Sequence, residues 1–363
     1  MIGVFFVGSF AFITAIKERY VRLTHSDIGI FVLLSILIAS SSWSPSPYES
    51  MRRAIDLGLM MIYYGSIVVY LGRDDALQEL IRVLLIISTL WVGYGVFEIA
   101  FGDLTLGIVP YISRNELSRN LLALIPLMAL VTHWKTGWTK VAYVGLTASM
   151  IFLIPLSGSR GGIVGLVFVL GALTILFLRS IAELELLRLL PAGAVAVILF
   201  GLVVLAAVHI GIFPQRLTSI PLTAGAFSPE VLGPQRYDVH KAELVTIQRH
   251  WLTGVGYEGF VVLTEKMYEI GSFRAHNLIT RVWMAAGIGP VLILLATGLS
   301  IIRNYTRAIY NLDSIDQMYL SALFIGFGGI TVAGMVNIVI DEPLWYVLIA
   351  VGSNLIPEES NRS

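Results

Sequence analysis

Two short segments of the chain hold residue types that could do chemistry. In Leu156-Ser157-Gly158-Ser159-Arg160-Gly161-Gly162, an arginine sits between two apolar runs with almost no loop around it. In Arg274-Ala275-His276-Asn277-Leu278, a histidine stands where a long polar stretch gives way to another apolar run. A guanidinium fork suits a phosphate or diphosphate. A neutral imidazole where a membrane helix opens could take a proton from a hydroxyl nucleophile, since its pKa lies near neutrality.

Each segment also has a plainer reading. An arginine at a membrane edge can snorkel to lipid phosphates. The glycines fit a tight helix–helix turn, with Gly161 and Gly165 as a small-xxx-small contact. That turn leaves Arg160 at a helix N-terminus, where the dipole favours an anion, and a bound anionic ligand would reconcile the two. A lone histidine is most often structural. His25 and His133 fall in loops and His209 ends an apolar run, whereas His240 and His250 are expected on a water-facing helix. Only His276 opens an apolar run on the same side as Arg160.

The elements that must position these residues follow from composition. Of 363 residues, 56% are hydrophobic and 13% are charged, against about 25% charged in a soluble domain. Mean hydropathy is +0.82. A soluble globule of this length lacks the polar cover for so much apolar surface. The expected fold is therefore an all-α, polytopic integral membrane bundle. Lys and Arg number 24, as do Asp and Glu, so no basic face for nucleic acid is expected. Cysteine is absent, which removes thiolate metal sites and a cysteine nucleophile. No HExxH, DxD, GxSxG or P-loop pattern occurs, so neither a metal nor a cofactor is expected, and no bound ATP. The outer acids, Glu116, Glu243, Glu258 and Asp341 among them, are scattered along the chain.

Apolar runs long enough to cross a bilayer fall near 1–16, 27–43, 54–71, 80–101, 119–133, 140–156, 161–179, 187–212, 277–302, 317–338 and 341–356. The first lacks a basic segment before it and a small-x-small cleavage site after it, so it reads as a membrane helix rather than a signal peptide. Asp341-Glu342-Pro343 interrupts the last pair, which suits one broken, re-entrant element. One alternate set of connections carries Lys17, Arg19, Arg22, Arg73, Arg82, Lys135, Lys140, Arg179, Arg188, Arg303 and Arg307. It is richer in Lys and Arg by roughly two to one, which assigns it to the cytoplasm, with the N-terminus outside. Arg52, Arg53, Arg114, Arg119, Arg160 and Arg281 then face outward. The longest polar stretch, 213–275, is also outer. Within it, 237–251 has no Gly or Pro and reads as a helix with Val239, Ala242, Leu244, Val245, Ile247 and Trp251 on an apolar face, ended by Gly254-Val255-Gly256.

Three segments together resemble the O-antigen ligase superfamily of ligases, O-antigen polymerases and exopolysaccharide polymerases. Leu156 to Gly162 resembles the family's Ser-Arg-Gly turn. Gln235-Arg236, followed by Trp251-Leu252-Thr253-Gly254-Val255-Gly256 and Phe260, resembles its outer-loop arginine, helix, Gly-x-Gly and Phe. His276-Asn277-Leu278 with Ala286-Gly287-Ile288-Gly289 resembles its His-Asn opening of the next span. The core resemblance covers 151–302 of a single membrane domain spanning 1–363. Trp251 departs from it, standing where the family often has Pro. Trp43-Ser44-Pro45-Ser46-Pro47 with Arg52-Arg53 is similar to polymerase-like members.

The resemblance implies about eleven to twelve membrane helices and one large periplasmic loop containing a short helix. It also implies transfer of a glycan from a polyprenyl (undecaprenyl) diphosphate carrier to an acceptor hydroxyl, at the outer face of the bacterial inner membrane, in lipopolysaccharide or exopolysaccharide synthesis. Carried over, Arg160 and Arg236 bind the diphosphate, Arg119 is a further phosphate ligand, and His276 is the base. The partners implied are the carrier-linked donor, a glycan or lipid A-core acceptor, and membrane lipid. Ligase and polymerase need the same residues and both stay open. The rival class is a transporter or flippase for a lipid-linked or anionic solute, which broken spans would suit. Against it stand the absence of repeat symmetry and the scarcity of charges at midplane depth, Glu98 excepted.

Overall fold

The computed structural model describes residues 23–73, 76–101, 113–182, 234–266, 277–311, 314–335 and 339–354. Among them there are twelve α-helices and no strand. Eight helices are long and apolar enough to cross a membrane: His25–Trp43, Pro47–Leu71, Ala76–Phe97, Asn115–Trp134, Gly137–Leu156, Arg160–Phe177, Ile288–Arg307 and Asp316–Gly334. The expected spans at 1–16 and 187–212 lie outside the described residues. Two others change. The expected span over 277–302 breaks at Gly287, whose φ of 81° ends one helix, so the membrane-length helix starts at Ile288. The run at 341–356 forms a helix of 12 residues, about 18 Å long and too short to cross the hydrocarbon core. All its residues from Leu344 to Ser353 are buried.

The chain forms two compact units. The first comprises Met1–Leu77, Pro221–Asn311 and Ile338–Ser363. It contains α1 (His25–Ser40), α2 (Pro47–Leu71), α7 (Pro234–Arg249), α8 (Gly259–Lys266), α9 (Leu278–Ala286), α10 (Ile288–Asn311) and α12 (Pro343–Asn354). Here α1 packs on α2 and α10, and α12 packs on α2 and α10. The buried Asp27 ties three of these helices: it accepts from the Tyr64 hydroxyl at 2.6 Å and the Asn354 amide at 3.3 Å. Its other oxygen completes a capping box with Thr24, so a carboxylate enclosed by helices has all its lone pairs engaged.

The second unit, Gln78–Ile220 and Leu312–Asn337, holds most of α3 (Ala76–Phe101), together with α4 (Arg114–Trp134), α5 (Gly137–Ser157), α6 (Arg160–Ala182) and α11 (Ser314–Gly334). Its core is α4, on which Leu121, Leu122, Ile125, Leu127 and Met128 are fully enclosed. Small residues let the backbones close in, as membrane packing requires. A Cβ on Gly162 would meet Ser118 at 2.7 Å, and one on Gly165 would meet the Gly329 carbonyl oxygen at 2.7 Å. Gly162 and Gly165 thus carry the close approach. These pairings make α4 and α6 parallel, with α11 antiparallel to both.

Candidate functional site

The turn around Arg160 is built residue by residue. Gly158 takes a left-handed φ of 65°, which ends α5, and its N–H donates to the Pro155 carbonyl at 2.9 Å. Ser159 then caps α6, its hydroxyl accepting from the Gly162 N–H at 3.1 Å. Arg160 is the first residue of α6 and is half-buried. The turn is locked to α4 through Ser157, whose hydroxyl donates to the Ile154 carbonyl at 2.6 Å and lies 2.7 Å from the Ser118 hydroxyl.

Arg119 follows Ser118 directly. It is buried, at 8% exposure, in the second turn of α4, one turn beyond Glu116, which closes the capping box at Ser113. The second unit therefore brings Arg119 and Arg160 to one end, flanking the Ser118–Ser157 contact. That end also holds the N-termini of two parallel helices, whose dipoles favour an anion. Two guanidinium groups and two helix N-termini thus share this end of the unit.

The first unit holds the other segments. Arg236 is the third residue of α7, and its side chain, like the whole of His276, lies outside the described residues. Asn277, which follows His276, caps α9, its side-chain oxygen accepting from the Ile279 and Thr280 N–H groups at 2.8 and 3.4 Å. The Gly-x-Gly segment closes the far end of α9. Val255 and Gly256 donate their N–H groups to the Met284 and Ala285 carbonyls at 2.7 and 3.0 Å, satisfying acceptors that the last turn leaves open. Trp251 offers its carbonyl to the Trp283 indole at 2.9 Å and the Ile288 N–H at 3.0 Å. The segments 251–256 and 284–288 therefore interlock through backbone.

On α7, Val239 and Ala242 join Val255, Phe260 and Met284 in one apolar cluster, with Ile247 at its edge. Leu244 and Trp251, expected on the same face, are 62% and 55% exposed. Leu244 is five residues from Val239, out of phase on a helix of 3.6 residues per turn, and Trp251 lies past the helix end. Glu243 and Thr246 are buried instead. His240, expected to face water, is half-buried with its Nδ1 2.9 Å from the Glu243 carboxylate.

One cluster was not visible in the sequence. The buried Arg281 of α9 donates to the Tyr257 hydroxyl at 3.0 Å and to Glu258 at 2.9 Å, and a second nitrogen lies 3.4 Å from Asp341. It also stacks 5.3 Å from the Tyr257 ring centroid. Burial disfavours the guanidinium charge, but Tyr257, Asp341 and Glu258 outweigh it and hold the group above the ordinary arginine range. Burial raises the Tyr257 phenol well beyond its usual value. Glu258 has a left-handed φ of 59°, unusual for a residue with a Cβ. No spacing pattern links 257, 258, 281 and 341, so these four residues gain their meaning only from the fold.

Residues 145–296 match the model of a protein family described as O-antigen ligase. No curated protein matches the chain. The family match bears out the resemblance to the O-antigen ligase superfamily. The eight membrane-length helices and this match point to a multi-pass membrane protein that is similar to the O-antigen ligase family over residues 145–296.

Proposed function

We propose that this chain is a membrane glycosyltransferase that moves a glycan from a polyprenyl diphosphate carrier to an acceptor hydroxyl at the outer face of the bacterial inner membrane. The observation that carries this reading is the pairing of Arg119 and Arg160 at one end of the second unit, each in the opening turns of a helix and each beside the Ser118–Ser157 contact. The match of 145–296 to the O-antigen ligase family supports it independently.

In this mechanism Arg160, with Arg119, holds the diphosphate, and Arg236 adds a third guanidinium by family resemblance. The acceptor hydroxyl attacks the anomeric carbon as His276 takes its proton. The bond from that carbon to the carrier oxygen breaks, the electron pair leaves with the polyprenyl diphosphate, and the anomeric configuration inverts. The arginines stabilise the charge that develops on the leaving group, as donors aimed at a developing anion do. The leaving group carries its own activation, so the step needs no nucleotide.

The test is purified protein in nanodiscs supplied only with a polyprenyl diphosphate-linked oligosaccharide, with products followed by mass spectrometry. A ladder of carrier-linked multimers, lost in His276→Ala, identifies a polymerase. Transfer that requires added lipid A-core identifies a ligase. Undiminished product from both Arg160→Ala and His276→Ala would refute the mechanism.

A further inference from the structure

The opposite end of the second unit carries a cleft that the glycan-transfer chemistry does not use. It encloses about 360 Å³ and is lined by Gln78 and Arg82 of α3, Trp134 and Lys135 at the end of α4, Tyr143 of α5 and Tyr319 of α11. Along α4 it lies about 20 Å from Arg119, at 1.5 Å per residue. The two arginines of the proposed diphosphate site therefore cannot reach it. We infer that this cleft binds the phosphate of an anionic membrane phospholipid, in the leaflet opposite the proposed chemistry.

Three features point to that ligand. The first is charge. Among the described residues, two cations line the cleft, Arg82 of α3 and Lys135 just past the end of α4, and no carboxylate does; Glu79 and Asp316, near the starts of α3 and α11, are not part of its wall. Neither Arg82 nor Lys135 has an ion pair or hydrogen bond among the described residues. A guanidinium fork and an ammonium facing one cavity suit an oxyanion, and basic pockets between membrane helices take lipid headgroups.

The second feature is depth. Trp134 and Tyr319 meet edge to face, ring centroids 5.1 Å apart at 79°. Trp138, in the first turn of α5, is 89% exposed. Such amphipathic rings collect at the level of the headgroups, so the cations beside them stand where lipid phosphates lie.

The third feature separates a lipid from free phosphate. Ile81 and Leu85 of α3 and Val131 of α4 line the cleft beside the two cations, and Ile86 and Leu90 continue along α3 as exposed apolar side chains. At the other end α3 closes on α5, where Gly95 abuts Leu153. The cleft thus combines a cationic wall with an apolar surface on which acyl chains can lie, and free phosphate would use only the first.

The test is binding of tritiated phosphatidylglycerol to the detergent-purified full chain, with phosphatidylcholine of the same acyl chains as the zwitterionic comparison. Wild type is expected to bind phosphatidylglycerol in preference. Arg82→Gln with Lys135→Gln is expected to weaken that binding about 30-fold, as loss of two interfacial cations implies, with no change for phosphatidylcholine. Arg82→Lys with Lys135→Arg should restore it. Equal binding of the two lipids, or an unweakened but folded double glutamine variant, would overturn the inference. So would full displacement of the lipid by millimolar inorganic phosphate, which would make the cleft a free-anion site.

Discussion

The hydroxyls of Ser118 and Ser157 lie 2.7 Å apart, joining the second turn of α4 to the last residue of α5. Ser157 also donates to the Ile154 carbonyl and accepts from the Ser159 N–H at 3.2 Å; either serine hydroxyl can supply the proton between the two. Arg119 follows the first serine and Arg160 lies three residues past the second. One hydrogen bond thereby fixes the register of two cations that come from separate helices.

Arg160→Ala should therefore lower glycan transfer by about 100-fold or more, the scale of losing one charge-stabilising group in a closed site, with little change in thermal unfolding because the side chain is half-buried. Arg160→Lys keeps the charge and loses the fork, so it should fall between. Ser157→Ala removes the link together with the Ile154 and Ser159 contacts of the same hydroxyl, at a cost of about 1 kcal/mol per hydrogen bond lost. Its signature is a partial rate loss with the carrier diphosphate bound less tightly, read by turnover against carrier concentration.

The Arg281 cluster makes a different prediction, about stability. Glu258 and Arg281 are both buried at their 2.9 Å contact. Replacing Arg281 by Ala removes the cation facing a buried carboxylate, a change that costs about 3–5 kcal/mol. The loss should appear as a lower unfolding temperature in detergent. Arg281→Ala with Glu258→Gln should recover part of it, because the second change removes the buried charge. Equal stability of the wild type and Arg281→Ala would show that the cluster contributes nothing to the fold.

How much of this was legible beforehand depends on the range of the signal. The membrane-length helices announce themselves, because an apolar run such as 54–71 needs no partner to be recognised. Arg160 at a helix start was readable from Ser157-Gly158-Ser159, a left-handed glycine followed by a capping serine. The break at Gly287 was not, since 277–302 reads as one predominantly apolar run despite Arg281, and the backbone angle reveals the turn. Leu244 was placed on the buried face of α7 by its composition, and its phase puts it outside. The union of Tyr257, Glu258, Arg281 and Asp341 had no local signature. It depends on α9, the Gly-x-Gly segment and the start of α12 meeting in three dimensions, and no spacing rule spans such distances.

The phenol of Tyr257 predicts a direction with pH. Burial raises its folded pKa above the ordinary value of about 10, so the native state holds a proton that the unfolded state releases in alkali. Its contribution is present in full below about pH 10 and is lost as pH climbs from there towards the raised folded value. Chemical unfolding measured from pH 8 to 11 should show stability falling above pH 10 in the wild type. Tyr257→Phe should start lower, having lost the Arg281 hydrogen bond, but should fall less steeply. Parallel slopes would mean that this phenol ionises alike in both states.

The interlock of 251–256 with 284–288 rests on glycines that no other residue can replace. Gly254 has φ 66°, and a Cβ there would sit 2.5 Å from the Met284 carbonyl oxygen and 2.6 Å from the Ala286 nitrogen. Gly287 has φ 81°, and its Cβ would collide with the carbonyl oxygen of Leu252. Both obstacles are backbone, so no side chain can swing aside. The same backbone caps α9, whose first residue lies two positions past His276. Gly254→Ala and Gly287→Ala should each destabilise the chain by more than about 3 kcal/mol, combining left-handed strain of about 1 kcal/mol or more with displaced capping hydrogen bonds. The control is Gly289, two residues on and inside α10, where a Cβ meets nothing within 4 Å. Gly289→Ala should be neutral or stabilising by up to about 1 kcal/mol. Fluorescence-monitored size exclusion of the three variants separates these outcomes: a monodisperse Gly289→Ala beside two aggregated or absent peaks is expected, and three equal peaks would mean that the Gly-x-Gly segment does not hold α9 in place.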